Sequence, residues 1–193
     1  MKTHSVVVMG VSGCGKSTVG EFLAQDLGAS FLDGDSLHPH ENVQKMAAGI
    51  PLSDDDRAPW LREIGRKFTE SRQESLVIAC SALKRSYRDI IRSADPTVRF
   101  VHLHGTEELL ASRMAVRPGH FMPVSLLQSQ LKTLELLNEA EAGVRLNIVE
   151  SPAALVIQAR QWLEETPTGV VGTAHLRGEV DARTTSRVGR TTG

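Results

Sequence analysis

The sequence predicts an α/β chain in three layers, a parallel five-stranded sheet covered by helices on both faces. Short apolar runs alternate with longer stretches of helical periodicity along most of its length. The first run, centred on Val6, Val7 and Val8, is continuously apolar, as in a strand buried on both faces. The chain has 193 residues, 40% hydrophobic and 23% charged, which suits one domain with a sizeable core.

Strands are expected at Ser5 to Met9, Ala29 to Leu32, Ser75 to Cys80, Val98 to His102 and Arg145 to Val149. Helices are expected at Lys16 to Leu27, around His40 to Ala48, and at Ala58 to Arg72, Leu83 to Ser93, Thr106 to Arg117, Val124 to Leu137 and Ala153 to Glu164. Ser151 is a natural N-cap for the last helix, and Pro152 takes the first helical position, where its missing N–H costs nothing. Trp60, Leu61, Ile64 and Phe68 recur at helical spacing and read as core. The predicted domain spans residues 1–165. Residues 166–193, rich in Thr, Gly and Arg and without periodicity, read as a disordered tail.

The net charge is -1 and the isoelectric point near 6.7, which offers no general attraction for nucleic acid or an anionic membrane. Cys14 and Cys80 are too few for a disulfide framework or a cysteine metal site. The N-terminus runs from Met-Lys-Thr-His straight into a strand, with no apolar stretch of signal-peptide or membrane-spanning length, so a cytoplasmic location is expected.

Gly10-Val11-Ser12-Gly13-Cys14-Gly15-Lys16-Ser17 fits G-x-x-x-x-G-K-[ST] between a strand and a helix. Glycines let backbone N–H groups of Gly10, Ser12, Gly13, Cys14 and Gly15 turn toward phosphate oxygens. The helix N-terminus at Ser17 and Thr18 adds partial positive charge, Lys16 bridges the outer phosphates, and Ser17 is left to ligate Mg²⁺. ATP or GTP is therefore the expected ligand. No Asn-Lys-x-Asp is present to read guanine, and neither SLVIACSALK nor VRFVHLHG ends in a Walker-B acid. Acids close the second strand instead, at Asp33 and Asp35, whose spacing of two can point both carboxylates the same way. Asp33 is assigned to the metal and Asp35 to the base that accepts the proton of an attacking hydroxyl.

The stretches GDSLHPHENVQKMAAGIPLSDDDRAPWL, ACSALKRSYRDIIR and RPGHFMP, the last following FVHLHG, resemble the gluconokinase family of small P-loop sugar-acid kinases from Val6 to about Leu163. The resemblance implies the P-loop kinase fold, α/β with strand order 2-3-1-4-5 and a helical lid. It further implies ATP-dependent phosphorylation of D-gluconate on its 6-hydroxyl with Mg²⁺, and commonly a homodimer. By motif position Asp35 and His38 would meet the hydroxyl end of the substrate, while Arg57 and Lys84, with Arg85 and Arg88 as further candidates, would clamp its carboxylate. Arg113 and Arg117 share a helix face; in related kinases the first stacks on adenine and the second reaches the transferring phosphoryl group. His120 follows in the lid among the substrate residues. Cys14 stands where the family often has serine, which raises the question of oxidation. Two alternatives stay open, a related kinase acting on another small hydroxy acid and a non-enzymatic nucleotide-binding module. A shikimate-type enzyme would normally carry a glycine-rich turn where this chain has Ala79-Cys80-Ser81-Ala82-Leu83-Lys84.

Overall fold

The computed structural model describes residues 3–116 and 124–166. Strands β1 (Ser5–Met9), β2 (Ser30–Asp33), β3 (Leu76–Ala79), β4 (Arg99–His104) and β5 (Gly143–Asn147) pair in parallel in the order β2-β3-β1-β4-β5. Val7 on the central strand lies opposite Ile78 on one side and Phe100 on the other. The pleat then sorts β1 between two cores. Val6 and Val8 pack with α1 (Lys16–Leu27) and α7 (Pro152–Glu165), whereas Val7 and Met9 pack with α3 (Asp54–Glu70) and α4 (Arg85–Ala94). The predicted core residues Trp60, Leu61, Ile64 and Phe68 are all buried in the second layer. Three further helices are α2 (His40–Ala47), α5 (Glu107–Val116) and α6 (Val124–Thr133), and a 3-10 turn covers Gly34–Leu37.

The cap at Ser151 forms as expected, its Oγ accepting from the Ala154 N–H at 3.2 Å. Two helix limits differ from expectation by more than two residues. α3 begins at Asp54 rather than Ala58 because Ser53 and Asp56 cap each other: the Asp56 N–H donates to Ser53 Oγ at 3.1 Å, and the Ser53 N–H to the Asp56 carboxylate at 2.9 Å. Pro59 consequently falls inside the helix and does not mark its start. α6 stops at Thr133 rather than Leu137, because the Glu135 N–H leaves the helical path to bond the Leu83 carbonyl at 2.8 Å. The expected lid tip, with Arg117 and His120, and the expected tail from residue 167 onward lie outside the described residues.

Candidate active site

Three loops meet at the C-terminal rim of the sheet: Gly10 to Gly15 after β1, the 3-10 turn after β2, and Cys80 to Lys84 after β3. The chain leaves β1 toward β3 and β2 on one side, with β4 on the other, so the first loop opens at the topological switch point where open parallel sheets bind ligands. Gly15 has φ 91°, and a Cβ placed there would meet no atom within 4 Å, so the hollow above the loop is clear. No side chain caps α1, which leaves the first-turn N–H groups at Lys16, Ser17 and Thr18 facing that hollow as anion donors. Lys16 Nζ bends over the loop to donate to the Val11 carbonyl at 3.1 Å. Three N–H groups expected to face phosphate are engaged within the protein instead, because the loop is tied to its neighbours. That of Ser12 donates to Gln130 Oε1 of α6 at 2.7 Å, that of Gly10 to the Ser81 carbonyl at 3.3 Å and that of Cys14 to the Val11 carbonyl at 3.4 Å. Cys14 is buried in the first core layer, and burial pushes its thiol pKa up, so it acts as packing and not as an oxidisable thiolate. Cys80 is likewise buried, its pKa pushed up to about 12.

Ser17 Oγ donates to Asp33 Oδ2 at 3.0 Å, and Asp33 Oδ1 accepts the Asp35 N–H at 3.1 Å. One carboxylate thus faces the phosphate loop and also caps the turn that carries Asp35. Among the described residues no group of three or more His, Cys, Asp or Glu could enclose a metal. Two hard oxygens at Ser17 and Asp33 instead suit Mg²⁺, which keeps waters and takes phosphate oxygens as its other ligands. Asp35 is exposed and lies beyond β2, inside the 3-10 turn. Its direction is therefore set by the turn and not by the strand pleat on which the two-residue spacing was read. Gly34 is required there, since a Cβ would sit 2.6 Å from the Ala79 carbonyl oxygen.

The cationic candidates separate in the structure. Arg57 and Lys84 flank the Tyr87 ring, 5.9 Å and 5.4 Å from its centroid. Lys84 Nζ contacts both oxygens of Asp54, at 2.9 Å and 2.7 Å, and the Tyr87 hydroxyl donates to the same carboxylate. Those two bonds hold the Asp54 pKa below the ordinary range, and the pairing raises that of Lys84. Arg57 donates to the carbonyls of Leu52 and Ser53, which leans its guanidinium against the start of α3. Arg85 is on the exposed side of α4, 3.8 Å from Asp89.

Arg88 does not belong to the clamp. It is 1% exposed, ion-paired with Glu141, and donates to the carbonyls of Ala82, Leu83 and Glu135 at 3.1, 3.2 and 3.0 Å. A guanidinium so buried and paired is closed to a ligand; it holds the β3–α4 turn, where Ala82 is forced to φ 42°. Arg113 donates to the Ile148 carbonyl at 2.6 Å, joining α5 to the loop after β5.

Three side chains enter the site that sequence reading did not single out. Gln130 has no local signal, since its partner Ser12 is 118 residues away. Asp54 reads as one acid among three in the first turn of α3, its link to Lys84 invisible until the layers assemble. Asn42 lies four residues after His38, but its burial, which makes its amide partners matter, is set by packing and left no signal in the sequence.

An open parallel sheet with a phosphate loop at its switch point and an oxygen pair beside it defines a P-loop phosphotransferase. The shikimate kinase family model matches residues 12–164. The thermosensitive gluconokinase of Escherichia coli (strain K12) is 45% identical over 164 residues, covering 83% of this chain and 88% of that protein. The gluconokinase of Gluconobacter oxydans (strain 621H) is 47% identical over 154 residues, covering 79% and 86%. The crystal structure of a gluconokinase from Sinorhizobium meliloti 1021 superposes with a TM-score of 0.77 at 51% identity, covering 83% of this chain and 91% of that one. The chain belongs to the gluconokinase branch of the shikimate kinase family.

Proposed function

We propose that this chain transfers the γ-phosphoryl group of ATP to the 6-hydroxyl of D-gluconate. The reading is supported by a phosphate loop at the C-terminal rim of the sheet, the Asp35 turn that follows the neighbouring strand β2, and the cations Arg57 of α3 and Lys84 before α4 against the Tyr87 ring. Gluconate has the matching polarity, a primary hydroxyl at one end and a carboxylate at the other.

Lys16 and the N–H groups of Gly13, Gly15 and the first turn of α1 hold the β- and γ-phosphates in line with the substrate hydroxyl. Ser17 and Asp33 would hold Mg²⁺, which when bound neutralises charge on the phosphate oxygens. Asp35 accepts the proton of the 6-hydroxyl as its oxygen bonds to the γ-phosphorus; the bond from that phosphorus to the β–γ bridging oxygen breaks, and ADP leaves. Arg57 and Lys84 orient the substrate carboxylate, and His38 meets the hydroxyls. In keeping with the family resemblance, on which all three roles rest, Arg113 serves the adenine end, Arg117 stabilises charge on the transferring group and His120 joins the substrate contacts. Among the described residues no helix is long and apolar enough to cross a membrane, and we propose a cytoplasmic homodimer with no nucleic-acid or membrane partner, in keeping with the family resemblance.

ADP release measured with MgATP across a panel of sugar acids tests the reading. Gluconate should give the highest kcat/KM, and glucose far less. Equal turnover of glucose, or preference for another hydroxy acid such as shikimate, would overturn it.

A further inference from the structure

Asn42 on α2 is buried, and its Nδ2 donates to the Asp56 carbonyl at 2.8 Å. A carbonyl oxygen only accepts, so the amide is fixed with its nitrogen on that side. The same nitrogen lies 3.4 Å from Nδ1 of His38. An amide nitrogen only donates, so Nδ1 accepts and the ring proton belongs on Nε2. The imidazole plane is fixed separately. It stacks on Trp60 with centroids 4.0 Å apart and planes within 15°, and Trp60 is itself pinned by its Nε1–H on the Gly34 carbonyl at 2.7 Å. Rotation and tilt of the ring are therefore both set by buried partners.

We propose that His38 is held as the neutral Nε2–H tautomer and donates that proton to an uncharged hydroxyl oxygen of the sugar-acid chain, with Asn42 and Trp60 as its positioning residues. The substrate half rests on the gluconokinase reading; the tautomer does not. An imidazolium would turn an Nδ1–H against the Asn42 amide hydrogens, so protonation forfeits the contact. Two charges face the ring, Asp35 from the turn and Arg57 from α3, and they oppose each other; the nearby Lys45–Asp56 pair is internally neutral. Burial, the largest influence on the ring, also favours the neutral form. With its proton on Nε2, His38 has no free lone pair toward the substrate, which leaves proton abstraction to Asp35. Trp60 thus joins the two ends of the turn, holding Gly34 through its N–H and His38 through its ring face.

Long-range ¹H–¹⁵N correlation spectra of the histidine-labelled full chain test the tautomer without substrate, His38 being assigned by its loss in His38→Gln. A pyridine-type Nδ1 and pyrrole-type Nε2 at neutral pH are expected. A pyrrole-type Nδ1, or an imidazolium, would overturn the proposal. Asn42→Asp offers Nδ1 a carboxylate and should draw the proton there, moving the acid limb of the kcat/KM profile to higher pH; an unmoved profile counts against Asn42. Steady-state kinetics with gluconate test the donor. His38→Gln keeps an N–H near the Nε2 position and should raise KM only a few-fold, whereas His38→Met should raise it about tenfold further, with kcat changed less. Equal KM values for the two variants would remove the donor role. If no sugar acid is phosphorylated while the spectra still show Nε2–H, the substrate assignment fails and the tautomer stands.

Discussion

Lys84 Nζ lies 2.9 Å and 2.7 Å from the two carboxylate oxygens of Asp54, across 30 residues of sequence. Lys84 is thus charge-paired in the substrate-free chain, with the Tyr87 hydroxyl on the same carboxylate, and in the proposed complex the substrate carboxylate takes the place of Asp54, one acid for another.

Lys84→Met should therefore lower kcat/KM for gluconate about 30-fold or more, the equivalent of about 2 kcal/mol or more for a charge left without its partner. Activity toward neutral glucose should barely move. Side-by-side kinetics on the two sugars decide it: a parallel fall would show that Lys84 serves the fold and not the acid group.

Asp35 is exposed and projects from a turn braced by Asp33 and Trp60, so its removal should leave the fold intact. Asp35→Asn should cut kcat by about 10² to 10⁴, as for loss of a general base, with little change in the KM for ATP. Thermal melting alongside the kinetics separates this from unfolding. A kcat within a few-fold of the parent would exclude Asp35 as the base.

Arg88 and Glu141 form a buried pair, and truncating one partner strands the other's charge. Arg88→Ala should cost about 3 to 5 kcal/mol in chemical denaturation. The double change Arg88→Met with Glu141→Leu should be much milder than Arg88→Ala, since no charge remains buried. If Arg88→Ala is as stable as the parent, the pair is not what holds the β3–α4 turn.

His102 on β4 is fully buried, and burial, with lesser contributions from His104, Arg88 and Arg145, brings its pKa down to about 3 from an ordinary 6.5. The unfolded chain then binds a proton at acidic pH that the folded chain refuses. The associated stability is complete above the unfolded pKa and is lost as pH falls below it. Between pH 7 and 5 the loss is about 2 kcal/mol, or about 4 to 8 °C in Tm. His102→Leu should flatten this part of the profile relative to the parent; an unchanged slope would show that other groups set it.

Local chemistry made much of the molecule legible in advance. The strand, glycine loop and helix that cradle phosphate lie in one short stretch, and their φ requirements and periodicity act on neighbours in sequence. The Ser151 cap is local in the same way. The start of α3 is equally local, but its box uses Asp56 as the reciprocal acid, a shorter side chain than the usual Glu or Gln, so it departs from the usual sequence signature.

What the sequence by itself determined was the sheet class, the core stripe from Trp60 to Phe68, the phosphate loop, and the acids at the end of β2. Only the tertiary structure decided which cations stay accessible, burying Arg88 against Glu141 while leaving Lys84 partly exposed on Asp54, and which polar groups brace the candidate site, Gln130 on Ser12 and Asn42 and Trp60 on His38. The physical reason is that periodicity and capping are interactions between near neighbours, whereas a charge's role depends on its dielectric surroundings and on partners that only the packing of distant elements supplies.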